Sequence, residues 1–192
     1  MTSTRVLAAL AAVALTLTGC SREGPETDRP ETPTPTQAQS AAASGTVLMV
    51  AQRDPDFTTL VSAIQTAEMT ETLNGGGPFT IFAPTNTAFE KVPAARRDAL
   101  TRPEGLTELR RLLTYHVVPG RLDAASLVQR AQAAGGSLAL TTLQGGVLTA
   151  SVNAAGSIDL TDAAGGRSRV VEADMAASNG VIHAIDTVSE PG

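Results

Sequence analysis

Gly77-Pro78-Phe79-Thr80-Ile81-Phe82-Ala83-Pro84-Thr85-Asn86-Thr87-Ala88-Phe89 is the stretch on which the reading of this chain turns. Phe79 to Ala83 is a short run of aromatic, β-branched and aliphatic residues, the composition of a strand, and Pro84 ends it. Asn86 is placed to cap a helix over Thr87–Val92, with Thr87 and Glu90 as a rival capping box, and Pro93 closes that helix. Asn74-Gly75-Gly76-Gly77-Pro78 breaks the chain just upstream. A glycine run cradles phosphate when a Lys-Ser/Thr pair follows it; none follows here, so the run reads as a turn.

Outward from this centre, the N-terminal side is helical in period. Thr46 to Gln52 reads as a short helix and Asp56 as the cap of the next, on which Phe57, Leu60, Val61 and Ile64 share one face. On the C-terminal side, a helix is expected from Ala94 to Leu100. Another carries Leu106, Leu109, Leu112 and Leu113, with Arg110-Arg111 on its solvated side, and a further one spans Ala124 to Ala134 up to Gly135-Gly136. The period then changes. Ser137–Thr142, Val147–Val152, Ser157–Leu160, Arg169–Met175 and Val181–Val188 are short β-type runs separated by glycine-rich turns, the punctuation of a meander. Helices first and strands last indicate an α+β fold rather than a doubly wound sheet.

Three segments carry a resemblance. Gly77 to Phe89 with Val92-Pro93, Leu112-Leu113-Thr114-Tyr115-His116-Val117-Val118-Pro119-Gly120, and Asn179-Gly180-Val181-Ile182-His183-Ala184-Ile185-Asp186 occur in that order. Together they resemble the two signature boxes and central Tyr-His segment of a fasciclin domain, covering residues 46–190. The resemblance implies a wedge built as a two-sheet β-sandwich with a layer of short helices. It also implies an adhesion or binding module without a defined catalytic site. Phe82, Ala83, Pro84, Thr85, Asn86, Phe89, Asn179, Gly180 and His183 are then residues of the structural motif, and Asn179-Gly180 suits a tight hairpin. In animal adhesion members an Asp-Ile pair before the second box, and the Tyr-His segment, are linked to integrin binding. The matching positions are Asp174-Met175, with Ala173 where those members carry Pro, and Tyr115-His116. These four are the candidate partner-binding residues.

The N-terminus reads as an address. Arg5 supplies the positive region, Val6 to Leu17 an apolar stretch of 12 residues, and Leu17-Thr18-Gly19-Cys20 resembles a bacterial lipobox. The expected lipoprotein signal is 1–19, with Cys20 lipidated at the new N-terminus. Such a protein is anchored outside the cytoplasm on the cell envelope or surface, or shed from it. Acyl chains hold because each buried methylene contributes about 0.8 kcal/mol. Residues 20–45 contain Pro25, Pro30, Pro33 and Pro35 among Thr, Glu, Gln, Ser and Ala, and read as a disordered tether.

Composition narrows the chemistry. The chain has 192 residues, a formal charge of −5, 3% aromatics and no Trp, which disfavours nucleic acid: it has neither a phosphate-neutralising field nor stacking platforms. Its one Cys excludes an intramolecular disulfide and a cysteine-rich zinc site. Nothing in the sequence requires a metal or cofactor. His116 and His183 are the only histidines, and both read as partly buried residues bonded to a strand or turn. Ser126, Ser137 and Ser151 lie outside a Gly-x-Ser-x-Gly elbow, and Asp159, Asp162 and Asp174 lack calcium-loop spacing. The leading expectation is therefore a non-enzymatic, membrane-anchored module binding a protein or polysaccharide. An envelope carrier of an apolar small molecule or lipid is the alternative, and a hydrolase using His116 or His183 is a third reading.

Overall fold

The helices precede the closing run of five strands, as the change of period predicts, and two strands, Phe79–Pro84 and Val117–Pro119, lie among the helices. The computed structural model describes residues 45–153 and 156–192; the leader, Cys20 and the tether through residue 44 lie outside the described residues. α1 (Val47–Arg53) begins at Thr46, whose hydroxyl accepts the Met49 N–H. Asp54, rather than Asp56, caps the 3-10 turn Pro55–Phe57, because its carboxylate accepts the Asp56 N–H. α2 (Thr58–Thr66) follows, with Leu60, Ala63 and Ile64 on its buried face, and then α3 (Thr70–Asn74). β1 (Phe79–Pro84) runs one residue past the expected end, into Pro84.

The next cap is also displaced. Thr85 caps α4 (Asn86–Glu90) by accepting the Ala88 N–H, and Asn86 is already inside the helix. Its amide works at longer range: it donates to Pro55 O at 2.8 Å and accepts the Thr59 N–H at 3.0 Å. α5 (Ala94–Thr101) and α6 (Leu106–Tyr115) complete the helical layer, joined by the 3-10 turn Pro103–Gly105. β2 (Val117–Pro119) and α7 (Ala124–Ala133) lead into the meander of β3 (Ser137–Thr141), β4 (Val147–Val152), β5 (Ile158–Thr161), β6 (Arg167–Ala177) and β7 (Gly180–Ile185).

The strand order is β2-β1-β7-β6-β5-β4-β3. β1 and β7 pair in parallel, Phe79 opposite Gly180 through Pro84 opposite Ile185; the other pairs are antiparallel. β6 belongs to both halves of the order. Arg167 to Arg169 pair with β5, and Val170 to Ala177 pair with β7. Beyond the far edges, the Leu143 N–H donates to Val117 O at 2.7 Å, linking the segment after β3 to β2.

Two apolar clusters follow from this layout. One holds Phe82, Tyr115, Val118, Leu127, Leu140, Leu148, Leu160 and Ile185, drawn from both halves of the strand order, α7 and the end of α6. The other lies under α1 to α6 and takes Ile81, Ala83, Ile182 and Ala184 from β1 and β7. Alternate residues of these two strands therefore enter different cores, and β7 is buried at all six positions. Each such Leu, Ile or Phe contributes about 1.5–3 kcal/mol relative to exposure.

The β6–β7 connection closes tightly. Ser178 and Asn179 form the turn, and Gly180 already pairs as the first residue of β7. A Cβ on Gly180 would lie 2.1 Å from Phe79 O, and one on Gly77 would lie 2.1 Å from Asn179 O, so both positions need the missing side chain. The Asn179 amide accepts the Val47 N–H at 2.8 Å and donates to Leu73 O at 2.8 Å and Gly75 O at 3.1 Å, tying α1 and the glycine turn to the last hairpin. Asn179→Asp should lower stability by about 2–4 kcal/mol, because a carboxylate would then face two carbonyl oxygens. Urea unfolding measures it, and a midpoint unchanged from wild type would contradict the clamp.

Candidate functional site

The first pair of sequence-predicted binding residues lies in the interior. Tyr115 is fully buried and His116 is 2% exposed. The Tyr115 hydroxyl donates to Val147 O at 2.7 Å and accepts the Ala163 N–H at 3.0 Å. His116 Nδ1 meets Leu112 O at 2.8 Å; a carbonyl only accepts, so Nδ1 carries the proton and Nε2 accepts the Ser189 N–H at 3.1 Å. The expectation that Tyr115 and His116 face a partner is thereby corrected. α6 must turn its apolar face inward, and its C-terminal residues follow Leu112 and Leu113 into the core.

His183 has the reciprocal arrangement. Nε2–H donates to Leu122 O at 2.7 Å, Nδ1 accepts the Asp174 N–H at 3.3 Å, and the ring stacks on Phe82 with centroids 5.6 Å apart. Each imidazole thus spends both nitrogens on backbone groups, joining segments distant in sequence. Burial holds both pKa values below the ordinary 6.5, so both rings are neutral in the fold. Burial likewise raises the Tyr115 phenol. Among the described residues there is no cluster of three or more His, Cys, Asp or Glu suited to a metal ion.

The second pair sits at an irregularity. The β6–β7 register slips between Val170 and Glu172 and again between Glu172 and Met175. Asp174 adopts φ 62°, the left-handed region that a short polar side chain tolerates. Its carboxylate accepts the N–H of Ala124, the first residue of α7, at 2.7 Å. Asp123 caps the same helix, accepting the Ser126 N–H at 2.7 Å, and the Ser126 hydroxyl together with that N–H holds its pKa below the usual carboxylate range. Met175 is half-buried and packs against the helical core.

The surface around Asp174 is open. From Val170 onward β6 has β7 as its partner strand, β5 having ended its pairing at Arg169. Val171, 58% exposed, leads an exposed run with Glu172, Ala173 and Asp174, and Ala176 is exposed beyond Met175. An edge of this kind offers backbone donors and acceptors to an incoming chain, and the bulge limits indiscriminate pairing. Sequence reasoning missed Val171 and Glu172; the one available signal was the length of the run before Asn179. A second, polar surface lies nearby, a depression of about 410 Å³ lined by Ser151, Asp159, Thr161, Arg167, Arg169 and Asp186. There Arg169 Nε donates to Asp159 at 2.8 Å and lowers the Asp159 pKa. Asp186 is also held low: burial opposes this, but the Arg169 N–H, the Thr187 hydroxyl and Lys91 outweigh it.

Comparison with known proteins agrees with this architecture. Residues 55–191 match the family described as the Fasciclin domain. Protein sll1483 of Synechocystis sp. is 41% identical over 155 residues, 80% of this chain and 78% of that protein. Cell surface glycolipoprotein MPB83 of Mycobacterium bovis is 32% identical over 166 residues, 84% of this chain and 67% of that protein. Among solved structures, a FAS1 domain pair from the insect cell adhesion molecule Fasciclin I is similar in fold, with a TM-score of 0.60 and 22% identity. That likeness covers 76% of this chain and 51% of the solved one, so the chain spans about half of the pair.

The neutral histidines set a pH dependence. The unfolded chain protonates them at about 6.5 and the folded one at lower pH, so stability is lost as pH falls below about 6.5. The lowered Asp123, Asp159 and Asp186 act in a separate window, their contribution fading as pH drops below about 3.8. Tm should fall between about pH 7 and pH 5, and His183→Gln should reduce that slope; a Tm that is flat until about pH 4 would assign acid sensitivity to the carboxylates alone. Tyr115→Phe leaves the Ala163 N–H without its acceptor and should lower stability by about 1–3 kcal/mol, as read by chemical denaturation.

Proposed function

The chain belongs to the fasciclin domain family, and on that premise we propose that it is an extracytoplasmic, membrane-anchored adhesion module for a protein or polysaccharide. The observation that carries the reading is the exposed, bulged stretch of β6 from Val171 to Asp174, on the part of the strand that β5 leaves unpaired. The imidazoles and the Tyr115 phenol are committed to backbone groups, so the motif residues serve the interior and the β6 stretch is where a partner meets the chain. Asp174 contributes by shaping that stretch, through its left-handed backbone and its bond to α7, as much as by its charge.

Anchoring rests on Leu17-Thr18-Gly19-Cys20 and is supported by MPB83, whose name describes a cell surface glycolipoprotein and whose match extends over 84% of this chain. Among the described residues no helix is long and apolar enough to cross a membrane; the reading places the attachment at a lipid on Cys20.

Two experiments test the two halves. Cys20→Ala should abolish metabolic labelling with palmitate and move the protein out of the membrane pellet; a variant that stays labelled and membrane-bound would overturn the anchor. Cells displaying Val171→Lys/Glu172→Lys should adhere at least about tenfold less than wild type to surfaces coated with envelope protein or polysaccharide, a loss typical of removing a central contact. Unchanged adhesion by a folded variant would remove β6 from the binding face.

A further inference from the structure

A crevice opens within the helical layer, away from β6. α2, α5 and α6 and the end of α4 converge with the C-terminal segment around about 140 Å³ of space. Its floor is Ala63, Phe89, Leu100, Leu109, Leu112 and Val188. Of the four hydroxyl-bearing residues at its rim, Thr59, Ser62, Thr66 and Thr101, the last three offer little polarity. Ser62 donates to Thr58 O, Thr66 to Ser62 O, and Thr101 to Asp98 O, so each spends its proton on its own helix. A polar guest would lose its water without gaining partners on this floor. An apolar ring would not: an engineered apolar cavity of about 150 Å³ in another protein stays dry and takes up benzene.

The mouth adds a charge. Arg97 and Glu190 both line the crevice. Glu190 accepts from Arg96 Nε at 2.9 Å, and Arg96 also pairs with Glu108 at 3.1 Å. The Arg97 guanidinium has no ion pair or hydrogen-bond partner among the described residues. One unspent cation at the lip of an apolar slot selects a guest with an apolar body and a single anionic head.

We infer that this crevice binds a small aromatic monocarboxylate, its ring on Leu100, Leu109, Leu112 and Val188 and its carboxylate at Arg97. The site is independent of the β6 surface, so the two stand or fall separately. The size of the slot limits the guest to about one ring, which places its affinity in the micromolar to millimolar range. The test is a methyl NMR titration of the full chain, carrying Cys20→Ser for solubility, with 3-phenylpropionate as probe and 3-phenylpropanol as its neutral counterpart. Saturable shifts confined to the methyls of Ala63, Leu100, Leu109, Leu112 and Val188 are expected. Arg97→Gln should weaken the acid at least about fivefold and leave the alcohol unchanged. Ser62→Phe, which fills the slot from its exposed rim, should exclude both. No saturable shift up to about 10 mM probe, or equal binding of the acid by Arg97→Gln, would overturn the assignment.

Discussion

The fold depends on one constraint: β1 and β7 are parallel neighbours with a core on each face. Their pairing joins Phe79–Pro84 to Gly180–Ile185 across about a hundred residues of chain. A strand covered on both sides must be apolar or must satisfy each polar atom internally. The two polar residues that enter this pair do the latter. The Thr80 hydroxyl donates to Gly120 O at 2.7 Å and accepts the Leu122 N–H at 2.9 Å. His183 takes Leu122 O and the Asp174 N–H. Among the described residues no buried side-chain polar atom is left without a partner. Thr80 and His183 therefore act as staples, and what they staple is the segment leading into α7 and the bulge of β6.

That linkage connects the interior to the surface. The segment held by Thr80 and His183 runs directly into Asp123 and Ala124, the start of α7, and the Ala124 N–H is the donor that Asp174 accepts. The exposed part of β6 is thus positioned by the same residues that close the centre of the sheet. A surface held this way gains rigidity without exposing the motif, so the motif can define the fold while side chains outside it are free to vary. The Arg97 crevice shares no residue with this chain of contacts.

Much of the fold was legible because its signals are local. Leu60 and Ile64 on α2, and Leu109, Leu112 and Leu113 on α6, declare their buried faces by spacing, and the glycine-rich turns separate β3 to β6. What was not legible is set by distant contacts. Asn86 is by chemistry the better cap, yet it is drawn off by Pro55 and Thr59, 31 and 27 residues away, and Thr85 takes the role. The full length of β6 reflects two partner strands at once, and Val181–Val188 shortens to β7 because Asp186 leaves the sheet to hold Arg169 and Lys91. Tyr115 and His116 look available as a sequence pair, yet helix orientation buries them. Met175 is partly withdrawn into the helical core while Asp174 stays exposed, a division that the bulge decides. The crevice needs four helices and the C-terminal segment to assemble before it exists.

Native-state hydrogen exchange on the full chain tests most directly whether the β1–β7 pairing is the last structure to open. The account predicts that the amides of Ile81, Phe82, Ala83, Ile182 and Ala184 exchange only through global unfolding, with protection equal to the full unfolding free energy. Amides of α5 and of β6 between Val171 and Ala173 should exchange through smaller openings. Protection in β1 and β7 no greater than in α5 would contradict the claim that this buried parallel pair holds the rest of the structure together.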